Sequence, residues 1–184
     1  MSFNLTKYLS NNPLLQEAEK ILIPRRSKEE RDKNYAATIY SQIQQYIKDG
    51  GEGDLDLSNI PLTSLPNNLK VGGYLDLTGT DITSLPDNLK VGGFLDLTDS
   101  KITSLPDNLQ VGGYLALTDT EITSLPDNLQ VGGFLALNNT QLISLPDNLQ
   151  VGKYLDLRNT PISKKYSKEE IKKMVPDIKG DIYI

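Results

Sequence analysis

The 184-residue sequence contains no cysteine, no histidine and no tryptophan. Without cysteine there are no disulfides, no thiolate metal sites and no thiol nucleophile. Without histidine, every Ser-His-Asp or Cys-His arrangement and every imidazole ligand is excluded. Long apolar runs are also missing: none approaches the roughly 18 residues that a membrane-spanning helix needs. The opening Met1-Ser2-Phe3-Asn4-Leu5-Thr6-Lys7 has no basic segment followed by an apolar one, so no cleavable secretory signal is expected. Basic residues are outnumbered, 19 against 24, and the net charge of −5 argues against non-specific nucleic-acid binding. These absences together predict a soluble, intracellular protein that is not an enzyme and takes neither cofactor nor metal.

The charge is unevenly placed. Residues 1–50 carry +2, residues 51–163 carry −9 and residues 164–184 carry +2, which divides the chain into three zones. The acidic zone is an internal repeat. Leu65-Pro66, Leu85-Pro86, Leu105-Pro106, Leu125-Pro126 and Leu145-Pro146 recur every 20 residues, and so do Leu75, Leu95, Leu115, Leu135 and Leu155. In the unit 71–90, Leu75 and Leu77 alternate with Tyr74, Asp76 and Thr78, the period of a strand with one buried face. Val71, Ile82, Leu85 and Leu89 show no such alternation and are assigned to a compact arc leading to the next strand. Gly72-Gly73 makes the turn into the strand, and Gly72, Gly92, Gly112 and Gly132 are expected to need positive φ. Lys153 replaces the second glycine in the last unit, so only the first is read as obligatory. One such unit buries too little apolar surface to offset the entropy of ordering it. Stacked units bury one another's flanks, which predicts a solenoid with a parallel sheet along one side.

The pattern L-x-L-x-x-(N/T/S)-x-(L/I)-x-x-L-P over residues 54–163 resembles a leucine-rich repeat. Its 20-residue length with Leu-Pro is similar to the short class in bacterial type III effectors and in phage-encoded proteins. The resemblance implies an α/β solenoid whose parallel sheet lines the concave side, where partners dock. The Asn that usually follows the strand is here Thr80, Ser100, Thr120, Thr140 and Thr160, suggesting hydroxyls that satisfy loop backbone groups. Ile60 takes that place in the first unit, which is therefore expected to be a capping type. The ubiquitin-ligase domain carried by some such effectors needs a catalytic cysteine and is excluded.

An array exposes its core at both ends and needs lids. Residues 1–50 are predicted to form a helical N-terminal cap. Asn12-Pro13 opens one helix through Leu14, Leu15, Ala18, Ile21 and Leu22. Ser27-Lys28-Glu29-Glu30 is a capping box before Tyr35, Ala36, Ile39, Ile43, Tyr46 and Ile47, and Asp49-Gly50-Gly51 stops that second helix. Pro24-Arg25-Arg26 between them reads as a basic, solvated corner. Residues 164–184 are predicted to form a helix-plus-strand C-terminal cap. Ser167-Lys168-Glu169-Glu170 opens a helix with Ile171, Met174 and Val175, and Gly180 to Ile184 overlays Gly73 to Leu77 as a final strand.

Stacking sets equivalent outward residues in columns about 4.8 Å apart. The first column is Tyr74, Phe94, Tyr114, Phe134 and Tyr154; the second is Asp56, Asp76, Asp96, Ala116, Ala136 and Asp156; the third runs from Ser58 to Arg158. In a chain with only 7 % aromatic residues, an aligned aromatic strip is either an interface or a device of sheet stability. Carboxylates in register repel, so Asp56, Asp76 and Asp96 are either solvated charges or a site for a basic partner. Tyr74, Phe94, Tyr114, Phe134, Tyr154, Asp56, Asp76, Asp96, Asp156 and Arg158 are the candidate binding residues. The expected function is protein binding, by a phage or mobile-element product that engages and inhibits a host protein in the bacterial cytoplasm. A virion or assembly component and an injected bacterial effector are the alternatives.

Overall fold

The computed structural model describes residues 3–4, 28–107 and 109–184. The helix expected from Asn12-Pro13, the Pro24-Arg25-Arg26 corner and the Ser27 cap lie outside the described residues. The chain is a parallel-strand solenoid of about five turns with helices at both ends. In chain order the elements are β1 (Phe3–Asn4), α1 (Lys28–Lys48), β2 (Leu55–Asp56), β3 (Lys70–Val71), β4 (Leu75–Asp76), β5 (Lys90–Val91) and β6 (Leu95–Asp96). They continue as β7 (Gln110–Val111), β8 (Leu115–Ala116), β9 (Gln130–Val131), β10 (Leu135–Ala136), β11 (Gln150–Val151) and β12 (Leu155–Asp156). Helices α2 (Pro161–Lys165) and α3 (Lys168–Met174) and strand β13 (Ile182–Tyr183) complete the chain.

Each turn contributes one strand to each of two sheets. The long sheet has eight parallel strands in the order β1-β2-β4-β6-β8-β10-β12-β13, and the short sheet has five, β11-β9-β7-β5-β3. Leu75 pairs with Leu95, and Leu95 with Leu115, so the 20-residue period sets the register directly. Between the sheets the leucines, Val71 and its counterparts, and Ile82, Ile102, Ile122 and Leu142 form one continuous core. The short sheet departs from the sequence reading, which placed Val71 in an arc. Each of its strands is two residues long with one exposed and one buried side chain, too short to display a period.

The glycines also act differently from the expectation. Gly72, Gly92, Gly112 and Gly132 do not adopt positive φ; a left-handed residue recurs instead after each long-sheet strand, at Asn59, Gly79, Asp99, Asp119, Asn139 and Asn159, and Asn68 and Asn128 are left-handed after the Leu-Pro step. Asn, Asp and Gly enter that region at least cost, which accounts for their column. What Gly92, Gly112, Gly132 and Gly152 supply is close approach. A Cβ on any of them would overlap the carbonyl oxygen of the glycine one turn earlier. At Gly72 the nearest atoms to a Cβ stand at 3.4 Å, because the turn before it is irregular. The second glycine of each pair is also close to its predecessor, yet Lys153 occupies that place, so the first glycine is the stricter one.

The hydroxyl column behaves as the sequence suggests. Thr80, Ser100, Thr120, Thr140 and Thr160 are buried, and each donates at 2.6–2.7 Å to the carbonyl three residues earlier, from Leu77 to Leu157. At Leu77, Leu97, Leu137 and Leu157 the backbone amide of the same residue also donates to that carbonyl, at 3.1–3.3 Å, so there the hydroxyl adds a second, shorter bond that closes the turn.

At the N-terminal end, α1 places Ile39 and Ile43 in the core, with Tyr46 and Ile47 packed beside them. Gly50 and Gly51 end it with positive φ, and their amides donate to the carbonyls of Ile47 and Tyr46. Tyr35 and Ala36, expected on the apolar face, are exposed; among the described side chains of the helix, contact with the core begins at Ile39. At the C-terminal end, Ser167 and Glu170 form the expected reciprocal capping box of α3, and Ile171 and Val175 are buried while Met174 is exposed. Lys172 donates to the carbonyl of Ile178, tying α3 to the returning chain. The final strand pairs in the expected register, Leu155 with Ile182 and Asp156 with Tyr183. Helix α2 was not expected, although Thr160 caps it and Pro161 opens it. Among the described residues no helix is long and apolar enough to cross a membrane.

Candidate functional site

The outward face of the long sheet carries the candidate residues, and the strands set their order. Tyr74, Phe94, Tyr114, Phe134 and Tyr154 each precede a strand, and the register brings them into one file. Tyr74–Phe94, Phe94–Tyr114 and Tyr114–Phe134 meet edge to face at 6.0–6.3 Å. Phe134 and Tyr154 stack at 4.8 Å, and Tyr183 of β13 adds a sixth ring 5.9 Å from Tyr154. The sequence reading missed Tyr183 as a member, although the overlay of Ile182 on Leu75 places Tyr183 beside Asp156 in the neighbouring column. The rings thus stabilise one another and still present apolar surface, Phe94 being 52 % exposed. Phe94 also lies over Gly113, where a Cβ would meet its ring at 2.6 Å. Lys153, standing where the other turns have that glycine, sets its ammonium 5.4 Å over the Phe134 ring.

The carboxylates are not free solvated charges. Asp76 accepts a hydrogen bond from the Thr78 amide at 2.9 Å, and Asp96 from the Thr98 amide at 3.0 Å. Asp56 accepts from both the amide and the hydroxyl of Ser58, at 3.1 and 2.8 Å. Each closes the end of its own strand as an Asx turn does. Their negative field nevertheless reaches the aromatic file. Burial, then hydrogen bonding to Asp76, then the charges of Asp76, Asp96 and Asp56 push the Tyr74 hydroxyl well above the usual tyrosine range. Burial and the charges of Asp96 and Asp156 raise Tyr114 in the same way.

The C-terminal third of the face is different. Asp156 accepts from the Arg158 amide at 3.1 Å and pairs with its guanidinium, Nη2 to Oδ2, at 2.6 Å. Burial opposes ionisation there, but the Arg158 hydrogen bonds and charge prevail and hold Asp156 below the usual carboxylate range. Between this pair and Asp96 the column holds Ala116 and Ala136, both buried. Beside them opens a hollow of about 310 Å³ lined by Tyr114, Phe134, Leu135, Ala136, Tyr154, Asp156, Arg158 and Tyr183. The face therefore runs from aromatic-plus-acidic at one end to aromatic, apolar and ion-paired at the other. The arrangement suits recognition of an extended surface. The sequence matches no protein-family model and no curated protein.

Proposed function

We propose that the chain is a non-enzymatic protein-binding module that engages its partner through the outward face of the long sheet. The observation that carries this reading is the exposed aromatic file, running from Tyr74 to Tyr183 across the sheet with Asp76, Asp96 and Asp156 alongside. Large, rigid aromatic groups in a row are the composition of interface hot spots, and adjacent charge supplies orientation and encounter rate. The partner surface is apolar and basic where it meets Tyr74, Phe94, Asp76 and Asp96. The Asp76 and Asp96 carboxylates are held on backbone amides at the ends of their own strands, an arrangement that suits recognition and not acid–base chemistry.

The resemblance of the short Leu-Pro units to leucine-rich repeats extends the proposal. It makes the long sheet a concave docking face and the chain a phage or mobile-element product that inhibits a host protein in the bacterial cytoplasm. Affinity capture from a bacterial lysate tests it, with wild type against Phe94→Ala. Retention of a specific protein by the wild type and its loss from the variant is the expected result. Equal retention by both overturns the reading.

A further inference from the structure

The aromatic file has a period of its own, twice that of the turn. Tyr and Phe alternate from Tyr74 to Phe134, and successive rings stand at 79–85° to one another. Rings two turns apart therefore share an attitude. The phenylalanines project, Phe94 being 52 % and Phe134 38 % exposed, whereas Tyr74 and Tyr114 are half-buried. At about 4.8 Å per turn, the projecting rings repeat every 9.6 Å or so. Asp76 and Asp96 flank the Tyr74–Phe94 step, and the buried Ala116 and Ala136 flank the Tyr114–Phe134 step. We propose that the file binds a proline-rich segment of the protein partner in the polyproline II conformation. The segment lies along the stack, with an arginine or lysine at the Tyr74–Phe94 step and a proline at the Tyr114–Phe134 step. The inference rests on the protein-binding reading and names the conformation and chemistry of what is bound.

Period decides among the conformations a partner segment can take. Polyproline II has three residues per turn and rises about 3.1 Å per residue, so one face returns every 9.3 Å or so. An α-helix brings its face round every 5.4 Å, or about 10.8 Å for two turns, and an extended strand every 6.7 Å or so. Polyproline II stays most nearly in step with the projecting rings. Its prolines pack on aromatic faces, and the segment is ordered before it binds, so it loses little entropy on an open surface. Charge sets the sequence. The Asp76 and Asp96 carboxylates, each held on a backbone amide, attract a cation at the first step. At the second step the column is alanine and the Lys153 ammonium lies over the Phe134 ring, which disfavours another cation. The two steps are two turns apart, one polyproline II turn, so the basic residue and the proline are three residues apart in the segment.

The test is a titration of the full chain, followed through its ring resonances, with a blocked peptide of one arginine followed by six prolines. The reverse peptide is titrated as well, since a polyproline II segment can lie in either direction. With one of the two, Tyr74, Phe94, Tyr114 and Phe134 should shift saturably. Glutamate in place of the arginine, or glycine at every second proline, should weaken binding about tenfold or more. Phe94→Ala should weaken it by a similar factor. Should that variant fold poorly, Asp76→Asn with Asp96→Asn keeps the acceptor oxygens; it should weaken the arginine peptide and leave a peptide of seven prolines unaffected. No saturable shift with either direction, equal binding of the glutamate or glycine peptide, or undiminished binding by a folded variant overturns the proposal. If the peptides fail while partner capture still depends on Phe94, only the polyproline II inference falls; if both fail, the binding face falls with it.

Discussion

Gly112 shows how strictly single positions are held. Its Cβ would overlap the Gly92 carbonyl, so Gly112→Ala must push adjacent turns of the stack apart, at a cost of about 3 kcal/mol or more. Gly72→Ala, whose Cβ would stand 3.4 Å from its nearest neighbours, in ordinary contact, should be nearly neutral in chemical denaturation. Similar losses for the two would refute the close-approach account. The buried hydroxyl of Thr120 makes a comparable case: Thr120→Val orphans the Leu117 carbonyl and should cost about 1–3 kcal/mol. Asp156 ties stability to pH. Its folded pKa is depressed, so the pair with Arg158 stabilises above the ordinary carboxylate value of about 4 and is lost as pH falls through the lower folded value. The stability gap between wild type and Arg158→Ala, measured by denaturation across pH, should be present at neutrality and close in acid. A gap independent of pH would contradict the assignment.

Among the elements, legibility tracked the length of the pattern. The long sheet was readable because Leu75 and Leu77 alternate with outward residues and return every 20 positions. The short sheet was not, because Lys70–Val71 offers a single buried side chain and two residues cannot show a period. The column of Asn59, Gly79, Asp99 and their successors held the signal for the left-handed turn, but the doubled glycines drew the assignment to themselves. The C-terminal strand was legible through its overlay on an earlier turn. On the outward face the columns followed from alternation, whereas the Asx turns did not, since a carboxylate on its own backbone looks in sequence like a charge facing solvent. Helix α1 gives a test at this scale. Ile39 is fully buried against the first turn and Tyr40 is half exposed. Ile39→Ala should cost about 2–5 kcal/mol and Tyr40→Ala little. Equal effects would mean that α1 does not seal the core.

For the whole molecule, one face combines a file of rings with a charge pattern that changes along the stack, and the proposed function depends on that face. Asp76 and Asp96 each do two things, holding a backbone amide and projecting charge, so alanine at these sites would mix fold with recognition. Asn keeps the acceptor oxygen and removes the charge. The decisive measurement is the association rate of the captured partner with wild type and with Asp76→Asn/Asp96→Asn, over a range of salt concentrations. Unchanged melting, slower association at low salt and a flatter salt dependence are expected of the variant. Association as fast and as salt-sensitive as in the wild type would contradict the proposed function.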